Sequence, residues 1–184
     1  MGAAVDRFAH NSFALLAYAT IVRMYDLQLP SFDRSQGLWG FISSMQSLLM
    51  TFGFTLVACL IGSRIPDWID FGDRPGHRGF GHSLPSLTIF ALVAFLISGY
   101  FVDQGLAVLY AVALAAGYFS HLMLDFVTFE GVPWFWPLDE KYSLDLGPAG
   151  GLLVGSLGFL ALVLSIYLLQ DHLFPATVLP FRAG

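Results

Sequence analysis

Charge is what this sequence has least of. Only 11% of its 184 residues are charged, against about a quarter in a soluble domain. A water-facing surface cannot be built from so few. Hydrophobic residues make up 57% of the chain, and the mean hydropathy is +0.71. The sequence is therefore read as an integral membrane protein forming a single domain over residues 1–184. Cysteine is nearly absent as well. Cys59 stands alone, which excludes an intramolecular disulfide and any cysteine-based zinc motif. A basic excess is missing: the formal net charge is -5, so no nucleic-acid partner is expected. The N-terminus lacks the layout of a signal peptide. Asp6 and Arg7 precede a moderately apolar stretch that contains Arg23, so the first segment is expected to be retained.

What the chain has in quantity is apolar runs. Residues 38–61, 84–101, 106–125 and 152–169 each approach the roughly 20 residues that a bilayer core requires. Residues 8–25 mix Leu15, Leu16, Ile21 and Val22 with His10, Asn11, Ser12 and Arg23, which predicts a first helix with its polar face turned inward. No run alternates with period two. The fold class is therefore all-α: a membrane helical bundle with four or five spans. Pro30, Ser31, Asp33, Ser35 and Gly37 read as a loop. Residues 127–151 form an aromatic loop in which Trp134 and Trp136 suit the membrane–water interface.

Counting crossings places the polar interruptions. If the segment around His77 lies on one face, the 38–61 helix runs toward that face, 84–101 leaves it and 106–125 returns. His121, Asp125 and the 127–151 loop then share that face, and so does His10 at the start of the first helix. Arg7, Arg64, Arg74, Arg78 and Lys141 fall on this side, and Arg23, Arg34 and Arg182 on the other. The positive-inside rule makes the shared face cytoplasmic.

The residues gathered there carry the chemistry. His121 and Asp125, at i and i+4, occupy one helix face with Cβ atoms about 5–6 Å apart. An acid inside a membrane segment is a functional signal, although a snorkelling histidine with a capping aspartate would show the same spacing. Asp67 and Asp70 follow Pro66 at i and i+3; crowded carboxylates repel, and a divalent cation relieves the repulsion. As a solvated loop they would need no cation. His77 and His82 flank Arg78, Gly79, Phe80 and Gly81, a stretch whose glycines let the backbone fold tightly around a ligand. Arg78 has the planar fork that matches phosphate, and equally serves ordinary topology. Tyr118 reads as a ligand-orienting group or as an interfacial aromatic. Together His10, Asp67, Asp70, His77, His82, His121 and Asp125 form a mixed imidazole and carboxylate set, suited to zinc or manganese. There are too many for one tetrahedral ion, and they fit two.

These motifs resemble the YdjM-like family. The likeness runs through Pro66-Asp67-Trp68-Ile69-Asp70, His77-Arg78-Gly79-Phe80-Gly81-His82-Ser83 and Gly117-Tyr118-Phe119-Ser120-His121-Leu122-Met123-Leu124-Asp125, and ends near Trp136-Pro137-Leu138. The family pattern is P-D-x-D, H-R-G-x-T-H-S and G-Y-x-S-H-x-x-x-D-x-x-T; this chain has Gly81 where the family has Thr. Members of the family are described as LexA-regulated, membrane-bound, metal-dependent hydrolases, and look like membrane cousins of zinc phospholipase C. The resemblance implies a prokaryotic inner-membrane protein that hydrolyses phosphoesters at the membrane surface, with a phospholipid headgroup or another phosphoester as substrate. In that reading Asp70 or Asp125 orients water and Arg78 holds a phosphate oxygen. The alternative is a non-enzymatic membrane protein, or a subunit of an oligomer or larger assembly, whose metal site is structural. A metal transporter is disfavoured, because the ligands gather at one interface and not at the midplane.

Overall fold

The computed structural model describes residues 2–31, 34–70, 78–138 and 140–173. Helix α1 covers Gly2–Met24. Helices α2 (Gly37–Leu48) and α3 (Phe54–Gly62) are joined without a break by a π-helical turn, Leu49–Gly53. A one-turn helix α4, Ile65–Ile69, carries Pro66 in its first turn, and a 3-10 turn follows at Phe80–His82. Then come α5 (Leu84–Phe101), α6 (Gln104–Val127) and α7 (Leu152–Leu173). Among the described residues no strand occurs, only two isolated bridges, Thr128 with Gly147 and Val132 with Tyr142.

Four helical segments are long and apolar enough to cross a membrane: Gly37–Gly62, Leu84–Phe101, Gln104–Val127 and Leu152–His172. They coincide with the four apolar runs. Helix α1 is as long but more polar and falls outside that set. The spans differ in surroundings. Half of the spanning window of α6 is buried inside the protein, against 6% for α5. Helix α6 is thus the central post, packed on α1, α3 and α5, while α7 packs on α1. Helix α5 shows Ile89, Leu92, Leu96 and Ile97 outward, as a lipid-facing helix does.

Local chemistry fixes where the helices begin. The Ser83 hydroxyl caps α5 by accepting from the Ser86 amide at 3.3 Å, and Pro85 occupies the first turn, where no amide is required. The Asp103 carboxylate caps α6 by accepting from the Leu106 amide at 3.1 Å, so α5 and α6 form a tight antiparallel hairpin. In the π turn, the Tyr110 hydroxyl of α6 donates to the Met50 carbonyl at 2.6 Å. This satisfies a backbone group that lipid could not.

Helices α3 and α6 cross backbone to backbone. A methyl group on Gly117 would lie 1.9 Å from the Cys59 carbonyl oxygen, and one on Gly62 would lie 2.1 Å from that of Leu114. Small residues let membrane helices approach this closely. Helix α7 meets α1 in the same way: a methyl on Gly158 would sit 2.7 Å from the Cα of Ala9. Both contacts lie one turn or less from a histidine of the site, His121 and His10.

Candidate metal centre

The end of α3, helix α4, the start of α5, the end of α6 and the first half of α1 meet at one end of the bundle. His82 Nε2, His121 Nε2 and Asp125 Oδ2 form a near-equilateral triangle there. The two nitrogens are 3.3 Å apart, and the oxygen lies 3.2 Å from His82 and 3.3 Å from His121. Asp67 Oδ1 adds a fourth donor, 3.4 Å from His121 Nε2 and 3.7 Å from His82 Nε2. His10 stacks on His121 with ring centroids 4.0 Å apart, and its Nε2 lies 3.7 Å from Asp125 Oδ1.

Each ligating nitrogen is aimed by the other nitrogen of its ring. His121 Nδ1 lies 2.8 Å from the Ser63 carbonyl, and so donates to it. That carbonyl is delivered by the Gly62–Gly117 crossing. His82 Nδ1 lies 2.7 Å from Asp70 Oδ2. The same Asp70 carboxylate accepts the Gly79 amide at 2.8 Å and the Gly81 amide at 3.0 Å. Its oxygens are engaged one layer behind the ligating atoms, where a carboxylate orients a metal-binding histidine. The two aspartates of the sequence motif therefore divide: Asp67 faces the cluster and Asp70 backs His82. A Cβ on Gly81 would lie 2.7 Å from the Pro66 carbonyl oxygen and 2.9 Å from Asp70 Cγ, so the turn packs tightly on α4 at this glycine.

Arg78, read from the sequence as a phosphate grip or a topological charge, is bonded within the protein. Its Nη2 donates to Asp125 Oδ1 at 2.7 Å, and its Nη1 to Thr128 Oγ1 at 2.9 Å and the Gly131 carbonyl at 3.1 Å. Its Nε lies 3.6 Å from Glu130. The fork is turned onto Asp125 and the loop behind it. Tyr118 is fully buried; its hydroxyl donates to the Gly81 carbonyl and meets Ser86 Oγ at 2.7 Å. It anchors the turn that carries His82. His77 lies outside the described residues.

The electrostatics outside the spans follow from this packing. Burial opposes a charge on His82, but Asp125, Asp67 and Asp70 outweigh it and push its pKa up to about 10. Burial also opposes the charge on Asp67, yet His121 and His82 hold its carboxyl below the usual carboxylate range. Asp70 is lowered as well, burial again being outweighed by His82 and the amides of Gly79 and Gly81.

The donor set fits a divalent cation. Separations of 3.2–3.4 Å, and 3.7 Å between Asp67 and His82, are long for hydrogen bonds between ionised partners, which close to about 2.7–2.9 Å. The shorter ones match the edge of a tetrahedron of ligands around zinc, about 3.3–3.4 Å for bonds of 2.0–2.1 Å. Three of the four donors are buried, while the Asp67 side chain is 51% exposed.

Residues 37–174 match the family described as YdjM inner membrane protein. The chain belongs to the YdjM family. The matched region holds Asp67, Asp70, Arg78, His82, His121 and Asp125, and leaves α1 with His10 outside. The inner membrane protein YdjM of Escherichia coli (strain K12) is 39% identical over 79 residues, 39% of this chain and 35% of the relative. The YdjM protein of Shigella flexneri gives the same figures. The chain thus spans about a third of the length of the curated relatives it matches. No solved structure matches it. The chain is accordingly an integral membrane protein of the YdjM family, with clustered His and Asp residues that could hold a metal ion.

Three participants escaped the sequence reading. Asp6 Oδ1 lies 3.6 Å from His10 Nε2, at the i and i+4 spacing that had singled out His121 and Asp125. Arg64 donates from Nη2 to Asn11 Oδ1 at 2.7 Å, tying α1 to the α3–α4 corner. Thr128 bonds both Arg78 and the Asp125 carbonyl, the latter at 2.8 Å. Asp6 had a spacing that could have revealed it, and Thr128 closes the D-x-x-T of the motif; Arg64 had neither signal.

Proposed function

We propose that this protein is a membrane-bound, metal-dependent hydrolase of phosphoester bonds, with lipid headgroups as the substrate class. The observation that carries the reading is the set of ligand-type atoms 3.2–3.7 Å apart, each ring aimed from behind by Ser63 or Asp70. Asp67, His82, His121 and Asp125 would hold a zinc- or manganese-type ion, and His10 and the other oxygen of Asp125 face a second position. When bound, such a cation polarises a phosphoryl oxygen and makes water acidic enough to react near neutral pH.

The chain's own residues set the rest. Ser63 and Asp70 keep both imidazoles in the tautomer that leaves Nε2 free. Arg78 holds Asp125 in place and offsets part of its charge. Asp67, half in solvent, marks the open side at which a substrate and water can enter. A structural metal site would close every position, and this openness supports catalysis. The lipid assignment is supported by the loop at the same end, where Phe129, Phe135, Trp136, Leu138, Leu144 and Leu146 are exposed outside the spans. Trp136 packs edge-on against Phe80, two residues from His82. Apolar and aromatic groups in that position suit immersion in the headgroup region.

The test is turnover by purified, metal-replete protein in nanodiscs, on a panel of phospholipids and soluble phosphodiesters, with the His121→Ala, Asp125→Ala double variant as control. Hydrolysis of a phospholipid that the double variant lacks is expected. A protein that binds metal but turns over nothing in the panel would instead hold a structural ion. We place the site face in the cytoplasm from the arginine and lysine distribution; a Leu144→Cys variant should then resist membrane-impermeant thiol reagents in intact cells and react in inverted vesicles.

A further inference from the structure

We propose that Asp6, together with His10 and the Oδ1 oxygen of Asp125, forms the second cation position, with the Asp125 carboxylate serving both. This rests on the reading of the cluster as a metal centre, and adds to it a ligand from outside the region that matches the family.

His10 is the starting point. The residue is 4% exposed, and its Nδ1 has no hydrogen-bond partner. Its Nε2 faces two carboxylate oxygens, Asp6 Oδ1 at 3.6 Å and Asp125 Oδ1 at 3.7 Å. Both distances exceed the roughly 2.7–3.2 Å of an N–H···O bond. Nε2 is the nitrogen that faces the two carboxylates, and it closes a hydrogen bond with neither. One imidazole nitrogen with a carboxylate oxygen within 3.7 Å on each of two residues offers the donor types that a cation takes. Oxygen-rich with a single imidazole, the set suits manganese or zinc.

Asp125 is built to be shared. Its Oδ2 faces His82 and His121, while its Oδ1 faces His10. Arg78 Nη2 uses one lone pair of Oδ1, and a carboxylate oxygen has two. The Asp6 side chain is 33% exposed, which gives this position its own route to water. The charges favour two ions as well. Asp6, Asp67, Asp70, Asp125 and Glu130 against Arg78 leave four negative charges when the imidazoles are neutral. One divalent cation leaves two, which would repel a phosphodiester. Two cations leave none.

The experiment counts ions. The full chain in detergent is stripped with a chelator and titrated with zinc alone and manganese alone, reading ions per chain by elemental analysis and affinities by calorimetry. Wild type should bind two, and Asp6→Asn should bind the first unchanged while the second is lost or weakened at least about 100-fold, the upper range for removing a mere supporting group. Asp6→Asn keeps the size of the side chain, and equal melting temperatures of the two metal-free proteins show that it folds. Two ions of undiminished affinity in Asp6→Asn overturn the proposal. One ion in wild type overturns it and leaves the metal-centre reading standing. No ion in wild type overturns both.

Discussion

Asp70 Oδ2 lies 2.7 Å from Nδ1 of His82, on the side of the ring opposite the nitrogen that faces Asp125 and His121. One carboxylate therefore decides where a neighbouring imidazole points. Replacing Asp70 by Asn keeps the shape and removes the charge and one acceptor. Metal affinity should fall about 10–100-fold, the usual effect of losing such a support. Asp67→Asn, which removes a donor of the cluster itself, should cost more. Calorimetric titration of both variants checks the order; equal losses would place Asp70 among the ligands.

The α3–α6 crossing makes a second prediction. Gly117→Ala would push a methyl group to 1.9 Å from the Cys59 carbonyl oxygen, and neither backbone can yield without separating the helices. A loss of about 3 kcal/mol or more is expected, at the upper end of overpacking effects. The same separation draws the Ser63 carbonyl away from His121, so metal affinity should fall along with stability. Thermal melts in detergent and metal titration measure the two effects. Gly99→Ala is the control: its nearest foreign atom would be 3.8 Å away, and little should change.

Much of this was legible in the sequence, and the limits are physical. The spans were legible because lipid demands uninterrupted apolar runs, and these survive in any context. His121 and Asp125 were legible as a pair because helical periodicity fixes their common face. The division between Asp67 and Asp70 was not. It depends on the chain folding back after α4, so that the Gly79 and Gly81 amides reach Asp70. The intramolecular partners of Arg78 were hidden for a similar reason. Its partners Asp125, Thr128 and Gly131 lie about 50 positions away, and no local pattern announces them. Asp6 had the right spacing to His10 but stood alone until α1 packed against α6.

A third prediction concerns pH in the metal-free protein. The pKa of His82 is pushed up to about 10, above the ~6.5 of an unfolded histidine. A raised folded value means the stabilisation is fully present below about pH 6.5 and is lost as pH rises through about 10. The melting temperature of chelator-treated protein should therefore fall by several degrees between about pH 7 and pH 10. Metal-loaded protein should show a flatter profile, since a cation takes the place of the proton on Nε2, and loading at neutral pH should release protons. Melts at stepped pH with and without zinc make the comparison. A fall of the same size in both would detach His82 from the cluster's charge balance.

The last prediction separates the two charges that Asp125 meets. Its side chain is only 3% exposed, and Arg78 Nη2 is bonded to its Oδ1 at 2.7 Å. Arg78→Ala leaves that buried carboxylate with only the neighbouring imidazoles for positive charge, a change that costs up to about 3–5 kcal/mol. A bound divalent cation would supply positive charge to the same carboxylate from the His82 and His121 side. The loss should then be smaller in metal-loaded protein than in metal-free protein, because one cation partly replaces another. By linkage, the variant should gain more stability on metal loading than wild type does. Arg78→Lys should fall between the two: it keeps the charge but cannot hold Asp125, Thr128 and Gly131 at once. Melting temperatures of the three proteins, with and without zinc, measure this coupling. If metal rescues Arg78→Ala no better than it stabilises wild type, the cation and Arg78 do not share Asp125, and its role as a ligand falls with that result.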